Sequence, residues 1–213
     1  MKALIVYGGW DGHEPDKVAK IFEKALAAKG AAVELSPSLD VLTDAGRLAG
    51  ANVIVMHWTM GKMSPEQWKG LNEAVRGGVG VAGVHGGAGD AFRENLDFQW
   101  MIGGQFVGHP HVGEYEVRLT PHPSHITEHL PQSFRYNSEQ YYQIVDPGNV
   151  VLADTLYMFD GRRTIMPCVW YKTWGKGRVF YSAFGHVAKE FTDYPHVLEM
   201  TMRGIVWAAE GKK

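Results

Sequence analysis

The feature that most constrains the fold is one glycine-rich stretch, residues 78–90, with the sequence GVGVAGVHGGAGD. A run of small and β-branched apolar residues without polar alternation is typical of a strand buried on both faces of a sheet. The run ends at His85, and the glycines around it allow the backbone to turn sharply from a strand into a helix. We therefore expect an elbow that lifts the His85 side chain above the edge of the sheet. Imidazole can act there as a base, an acid or a metal ligand, but it is a poor acyl-transfer nucleophile.

The first half of the chain alternates between apolar strands and amphipathic helices. The predicted strands before the elbow are 3–7, 32–35 and 52–56. This alternation predicts right-handed βαβ units, and hence an α/β fold with a mostly parallel central sheet flanked by helices. Ligands of such sheets bind beyond the carboxyl ends of the strands. Residues 10–13, 57–59 and 85–90 each follow a predicted strand and each include a histidine, so we expect them to share one rim.

The second half of the chain is less regular. Residues 103–111 are predicted to form a long loop, and a tight turn at residues 175–177 is predicted to join two strands. The further predicted strands are 114–120, 150–155, 166–171 and 178–182. We find no repeat, low-complexity segment or linker, and therefore expect a single domain over residues 1–213.

Composition excludes several classes of function. The 213 residues carry a formal net charge of −2 and show no basic stripe, which argues against a nucleic-acid partner. No apolar run approaches the roughly 18 residues that a membrane span needs. The single cysteine permits no intrachain disulfide, which fits a reducing cytoplasm. Ten histidines and seven tryptophans favour a pocket that combines polar and aromatic groups.

The candidate functional residues come from the predicted rim and from the second half of the chain. The candidate catalytic residues are His85, His186 and Glu139. The candidate substrate-binding residues are Trp10, His13, Trp58, Asp90, His109 and Tyr141. A set of imidazoles is also a typical transition-metal site, and His13, His85 and His186 are the candidate ligands of zinc or another divalent metal.

Each candidate also has a structural alternative. His85 could merely cap the helix that follows it, His186 could hydrogen-bond backbone at the rim, and Glu139 could be a solvated acid at the start of a strand. The pair His125 and His129 has the i,i+4 spacing of a helical metal site, but turn-rich flanks favour an exposed loop there.

Five sequence pieces in order resemble the ThuA-like family, which is named for trehalose utilisation. They are Gly83-Val84-His85-Gly86-Gly87, 104–110, Leu130-Pro131, 138–142 and 167–186. The resemblance covers nearly the whole chain. It implies a flavodoxin-like or class I glutamine amidotransferase-like sandwich with a mostly parallel sheet.

The chain departs from the patterns of these families at three places. Ser124-His125-Ile126-Thr127 stands where a His-Pro-Ile-Thr pattern is expected, and Ser138 stands where an acidic residue is expected before Glu139. Relative to true amidotransferases, His85 occupies the position of the catalytic cysteine. The resemblance therefore implies that glutamine hydrolysis is absent.

Two classes of function stay open at this point. The first is an enzyme, such as an isomerase, lyase or hydrolase, that acts on a trehalose-like or keto-sugar derivative by histidine and carboxylate acid–base chemistry or by metal-assisted chemistry. The second is a non-catalytic carbohydrate-binding or regulatory module. A small-molecule carbohydrate is the expected partner in both, and a homodimer is the commonest assembly for such a chain. A residual amidotransferase is disfavoured because Cys168 lies in the wrong element.

Overall fold

The computed structural model describes residues 1–212 and, within them, every side chain except that of Phe159. Its strands are β1 (Lys2–Gly9), β2 (Ala32–Ser36), β3 (Val53–Thr59), β4 (Gly80–Val84), β5 (Gly104–Leu119), β6 (Ser133–Val145), β7 (Val150–Phe159), β8 (Arg162–Trp174) and β9 (Gly177–Ser182). Its helices are α1 (Pro15–Ala28), α2 (Ala45–Gly50), α3 (Pro65–Gly77), α4 (Gly86–Gly89), α5 (Leu96–Ile102), α6 (Ala188–Asp193) and α7 (Pro195–Ala209). Within the described residues, no helix is both long and apolar enough to cross a membrane.

The strands form a mixed sheet in the order β2-β1-β3-β4-β9-β8-β7-β5-β6. The pairs β2-β1, β1-β3, β3-β4 and β4-β9 are parallel. The pairs β9-β8, β8-β7, β7-β5 and β5-β6 are antiparallel. We call the first five strands the parallel half and the remaining four the antiparallel half.

The α/β class is confirmed, but the prediction of a mostly parallel sheet was wrong. The reason lies in the turn at residues 175–177, which joins β8 to β9. A tight turn can connect only antiparallel strands, so β8 runs opposite to β9, and each further pair of neighbours, β8-β7, β7-β5 and β5-β6, is antiparallel as well. The flavodoxin-like assignment is accordingly not confirmed. Residues 104–111, predicted as part of a loop, instead belong to β5, whose pairing with β6 shifts register between Phe106 and His111.

The core lies around the parallel half. All five residues of β4 are buried, and six of the seven residues of β3 are buried. Both strands consist largely of apolar residues because neither face of the parallel half meets solvent at its centre. Helix α1 packs on β1 and β2, and α7 packs on β3, β4 and β9. Together they leave the loops at the carboxyl ends of these strands free to form a site.

Candidate functional site

His85 lies at the predicted elbow between β4 and α4. Its backbone has φ 46° and ψ −139°, a positive-φ conformation that a residue with a side chain rarely adopts. The His85 backbone N–H donates a 2.7 Å hydrogen bond to the Ser182 carbonyl of β9, which anchors the elbow to the sheet. Nδ1 of the fully buried ring lies 2.9 Å from the carbonyl oxygen of Ala183. Strained backbone of this kind concentrates at functional sites.

Glu139 brings a carboxylate to this elbow from β6. Its Oε2 lies 3.2 Å from Nε2 of His85 and 3.1 Å from Nδ1 of His186, which follows β9. Its Oε1 lies 3.4 Å from Nε2 of His109 on β5. One carboxylate thus contacts three imidazoles. The contact with His186 is at ion-pair distance but lacks the alignment of a hydrogen bond, and that Nδ1 has no other partner among residues 1–212.

His13 completes the group from the 3₁₀ turn Asp11–His13 after β1. Its ring centroid lies 4.8 Å from that of His85 and 5.1 Å from that of His186. The hydroxyl of Thr59, at the end of β3, lies 2.7 Å from Nδ1 of His13. We call His13, His85, Glu139 and His186 the His/Glu cluster, and each offers a donor atom within 4.8 Å of the other three.

Glycines make this convergence sterically feasible. A Cβ at Gly86 would lie 2.4 Å from Cε1 of His13 and 3.1 Å from the Tyr141 hydroxyl. A Cβ at Gly87 would lie 2.3 Å from Nδ1 of His57. The glycines after the elbow therefore do more than let the chain turn, because they allow neighbouring rings to approach the start of α4.

Aromatic rings wall the cluster on two sides. The Tyr141 ring lies 4.1 Å from that of His85 at 31°, and Phe106 packs on Tyr141 at 4.4 Å. On the other side, the Trp10 ring lies 4.8 Å from His13 and is 48% exposed. The His85 side chain is buried, whereas that of His109 is 41% exposed to solvent. Solvent and small molecules therefore reach the cluster from the side of Trp10 and His109.

The charges in the cluster are unequal. Burial raises the pKa of Glu139, but the contacts with His186 and His85 outweigh burial and hold that pKa well below its usual range. The same Glu139 contact raises the pKa of His186. Burial, reinforced by the neighbouring His85 and His186, lowers the pKa of His13 to about 3. At neutral pH the cluster therefore holds an ionised carboxylate beside a neutral His13, an arrangement that can accept, hold and return a proton.

The remaining candidates lie near the cluster but are occupied with other contacts. Both carboxylate oxygens of the buried Asp90 accept hydrogen bonds from Arg93, at 2.6 and 2.8 Å. The Trp58 ring covers the backbone of Gly8 and Gly61. Their substrate-binding roles stay predictions. Cys168 is buried in β8, and burial raises the pKa of its thiol well above the usual value.

Glu190 on α6 is a buried residue that sequence reasoning missed. One oxygen accepts hydrogen bonds from the His186 backbone N–H at 2.9 Å and the Tyr136 hydroxyl at 2.5 Å, and the other accepts one from Ser138 at 2.7 Å. It thereby ties the loop of His186 to the strand segment beside Glu139. The only sequence signal was its position four residues after His186, which is too common to single it out.

His57 was placed on the rim by its position after a predicted strand, but it lies inside β3. It is 1% exposed, and within the described part of the chain neither ring nitrogen has a hydrogen-bond partner. Burial lowers its pKa to about 4. It lies beneath Gly87, in contact with the backbone of α4, and so supports the elbow from below.

A cleft of about 630 Å³ lies beyond the ends of β3 and α4, between Gly61, Trp68, Phe92 and Leu96. None of its lining residues belongs to the His/Glu cluster. We place the site at the cluster because the ionisable groups converge there, whereas the cleft is only a concave surface.

Comparison with known structures places the fold among ThuA-like proteins. A ThuA-like protein from Bacteroides uniformis ATCC 8492 matches with a TM-score of 0.76 at 19% identity, covering 98% of this chain and 91% of its own. One from Parabacteroides merdae ATCC 43184 matches with a TM-score of 0.74 at 19% identity, covering 100% and 91%. The cytoplasmic protein STM1381 of Salmonella typhimurium LT2 matches with a TM-score of 0.70 at 16% identity, covering 100% of both chains. At these identities the likeness shows the fold alone.

The sequence itself provides the family evidence. None of the curated proteins matches this chain. The model of the ThuA family, described as trehalose utilisation, matches residues 2–208, nearly the full length and all four residues of the His/Glu cluster. The chain therefore belongs to the ThuA family.

Proposed function

We propose that this protein is an enzyme of carbohydrate metabolism that acts on a trehalose-like or keto-sugar derivative by acid–base chemistry at the His/Glu cluster. The observation that carries the proposal is the contact of one Glu139 oxygen with both His85 and His186, at 3.2 and 3.1 Å. A carboxylate between two imidazoles can pass a proton from one side of a substrate to the other, which enolisation, isomerisation and elimination all require.

A keto sugar suits this site for two reasons. The hydrogen next to a carbonyl is the proton that a histidine–carboxylate pair can remove, and a neutral imidazole such as His13 can polarise the carbonyl oxygen. The half-exposed Trp10 and the Tyr141 ring offer flat apolar faces for the C–H face of a sugar ring. Glutaminase activity is not expected, because a histidine stands at the elbow and Cys168 is buried in β8.

Hydrogen exchange tests the proposal without knowledge of the final product. A keto derivative of trehalose is incubated in D₂O with the protein, and deuterium incorporation next to the carbonyl is followed by NMR. We expect the wild type to accelerate exchange or conversion, and His85→Asn to lose at least about 100-fold of that rate. His125→Asn, in the exposed loop, is the matched histidine control. Binding without exchange would favour the carbohydrate-binding module, and neither binding nor exchange would overturn the proposal.

A further inference from the structure

The His/Glu cluster has the composition of a transition-metal site. Three imidazoles and one carboxylate are the ligands that first-row divalent metals such as zinc favour. His13, His85, Glu139 and His186 are far apart in sequence, and yet each has a donor atom within 4.8 Å of the others. The fold thus gathers four donors at one point, just beyond the ends of β1, β4 and β9 and next to β6.

The hydrogen bond between Nδ1 of His85 and the Ala183 carbonyl leaves Nε2 as the nitrogen that is free to bind a ligand. A backbone carbonyl can only accept, so Nδ1 of His85 carries the proton that it shares with Ala183 at 2.9 Å. In the neutral ring, Nε2 then presents a lone pair to Glu139 Oε2 at 3.2 Å. Two lone pairs at that distance need a cation between them. Hydrogen-bonding the far nitrogen to a carbonyl is also how proteins orient a metal-binding histidine.

A single proton cannot satisfy all the contacts among the four residues of the His/Glu cluster. His186 Nδ1 is buried 3.1 Å from the same Glu139 oxygen without the alignment of a hydrogen bond. His13 is held at Nδ1 by the Thr59 hydroxyl at 2.7 Å, which leaves Nε2 as its other donor. A proton between Glu139 and His85 would leave Nδ1 of His186 and Nε2 of His13 without a partner among the four residues of the cluster, whereas one metal ion can bind all four.

The distances suit a metal centre. Zinc ligands lie about 2.0–2.2 Å from the ion, so neighbouring tetrahedral ligand atoms are roughly 3.4 Å apart. The donors of His85 and His186 are 3.2 and 3.1 Å from Glu139 Oε2, close to that value. Other separations within the cluster extend to at most 4.8 Å, so some donors must move inward by about an ångström, a shift that side-chain rotation can supply.

We propose that His13, His85, His186 and Glu139 bind one divalent first-row transition-metal ion, of which zinc is the reference. The cluster is most exposed on the side of Trp10 and His109, so a substrate oxygen would approach the ion from there as a fifth ligand. When bound, the ion would polarise a carbonyl or lower the pKa of a bound water, and that water would then exchange protons with the substrate in place of the Glu139 carboxylate. Its use on a keto sugar rests on the proposed function, whereas the binding of the metal does not.

Cobalt titration tests the binding directly. The purified protein is stripped with a chelator, checked for a retained fold by circular dichroism, and titrated with Co²⁺, whose visible absorption reports its ligand geometry. Competition with Zn²⁺ gives the zinc affinity, and elemental analysis gives the metal content as purified. We expect one equivalent to bind, with Glu139→Gln and His186→Ala each weakening binding about 100-fold or more. His186 is partly exposed, so His186→Ala keeps the test valid if a variant at the buried elbow fails to fold.

The exposed loop supplies the matched control. His125 and His129 flank Glu128 and contact its carboxylate at 3.2 and 3.6 Å, so His125→Ala/His129→Ala removes the same ligand type from a different place. We expect unchanged cobalt binding in that variant.

Failure of the folded, stripped protein to bind Co²⁺, or loss of binding only in the loop variant, would overturn the metal inference. Exchange of the keto sugar by metal-free protein would overturn the use of the metal on that substrate, while the titration alone decides whether the metal binds. Stoichiometric metal without any keto-sugar interaction would support the metal inference and count against the proposed function.

Discussion

The parallel and antiparallel halves of the sheet contribute to the site in different ways. The three imidazoles of the His/Glu cluster follow the carboxyl ends of β1, β4 and β9, where parallel sheets place their ligands. The carboxylate of Glu139 instead comes from inside β6, and Tyr141 lies two residues further along the same strand. A long antiparallel strand can thus supply side chains to a site at any point along its length. The parallel half, by contrast, supplies them only where its buried strands end.

The comparison predicts that the carboxylate from the antiparallel half is as indispensable as the imidazoles. We expect Glu139→Gln to lower keto-trehalose exchange at least about 100-fold, because the amide cannot take up a proton or carry the negative charge that three histidines face. Kinetics in D₂O against Glu114→Gln measure this. Glu114 is the matched control, since it is an exposed glutamate of β5 paired with Arg135. If both variants lost the same fraction of the exchange rate, or if neither lost any, Glu139 would have no special role in the chemistry.

The close packing of the parallel half predicts a large stability effect at Gly87. We expect Gly87→Ala to lower the free energy of unfolding by about 3 kcal/mol, since the new methyl group would lie 2.3 Å from Nδ1 and 2.7 Å from Cα of His57. Urea unfolding measures it. Gly77→Ala, where a Cβ meets nothing within 4 Å, should be neutral or slightly stabilising. Equal stabilities for the two variants would mean that α4 does not pack tightly against β3.

The elbow and its imidazoles could be predicted from sequence, and the carboxylate side of the site could not be placed. His85 was found because glycines flank it at the end of an apolar run, and His186 because it follows a glycine beyond a strand. Glu139, His109 and Tyr141 were each singled out, but their positions relative to one another were not predicted, because pairing between β5 and β6 is a long-range choice that strand patterns leave open. His109 was predicted in a loop, whereas it lies in β5 within 3.4 Å of Glu139.

The prediction that the strands are mostly parallel was wrong for a related reason. Apolar runs in β1, β3 and β4 indicated parallel strands, and that part of the sheet has them. The predicted turn at residues 175–177 already implied that β9 is antiparallel to β8, but nothing in the local pattern of β9 shows which strand lies on its other side or that this strand, β4, is parallel to it. Glu190 was missed because its partners, Tyr136 and Ser138, are more than fifty residues away.

The buried His57 predicts acid sensitivity located in the parallel half. An unfolded histidine has its ordinary pKa of 6.5, whereas burial lowers the pKa of folded His57 to about 4. Between these values the unfolded state binds a proton that the folded state excludes, so stability falls as pH drops through 6.5 and continues to fall until about 4. At pH 5 this amounts to about 2 kcal/mol.

Comparison with a variant isolates this contribution from the titration of the cluster. We expect the wild type to lose about 2 kcal/mol more than His57→Leu between pH 7.5 and pH 5, measured by urea unfolding at each pH. Only the difference between the two proteins matters, since the raised pKa of His186 stabilises the folded state as pH falls and acts in both. Parallel pH profiles would show that His57 takes up a proton in the folded protein as easily as in the unfolded one.

The smallest expected effect concerns the link between the halves. Glu190 hydrogen-bonds both the His186 backbone and Ser138, and Glu190→Gln would place an amide N–H against one of these donors. We expect about a tenfold loss of cobalt affinity, because the ligands remain but their alignment loosens. The fold should persist, so circular dichroism and cobalt titration are read together. Glu199→Gln, on α7 and paired with Arg203, is the control and should keep the wild-type affinity. An unchanged affinity in Glu190→Gln would show that the two halves are aligned without it.

The most direct test of a single centre built from both halves is anomalous diffraction from crystals of the cobalt-loaded protein. We expect one strong peak within coordination distance of His85 from the parallel half and Glu139 from the antiparallel half, with His13 and His186 completing the ligands. A peak at the exposed loop of His122, His125 and His129, or one bound by the imidazoles with Glu139 turned away, would contradict this expectation.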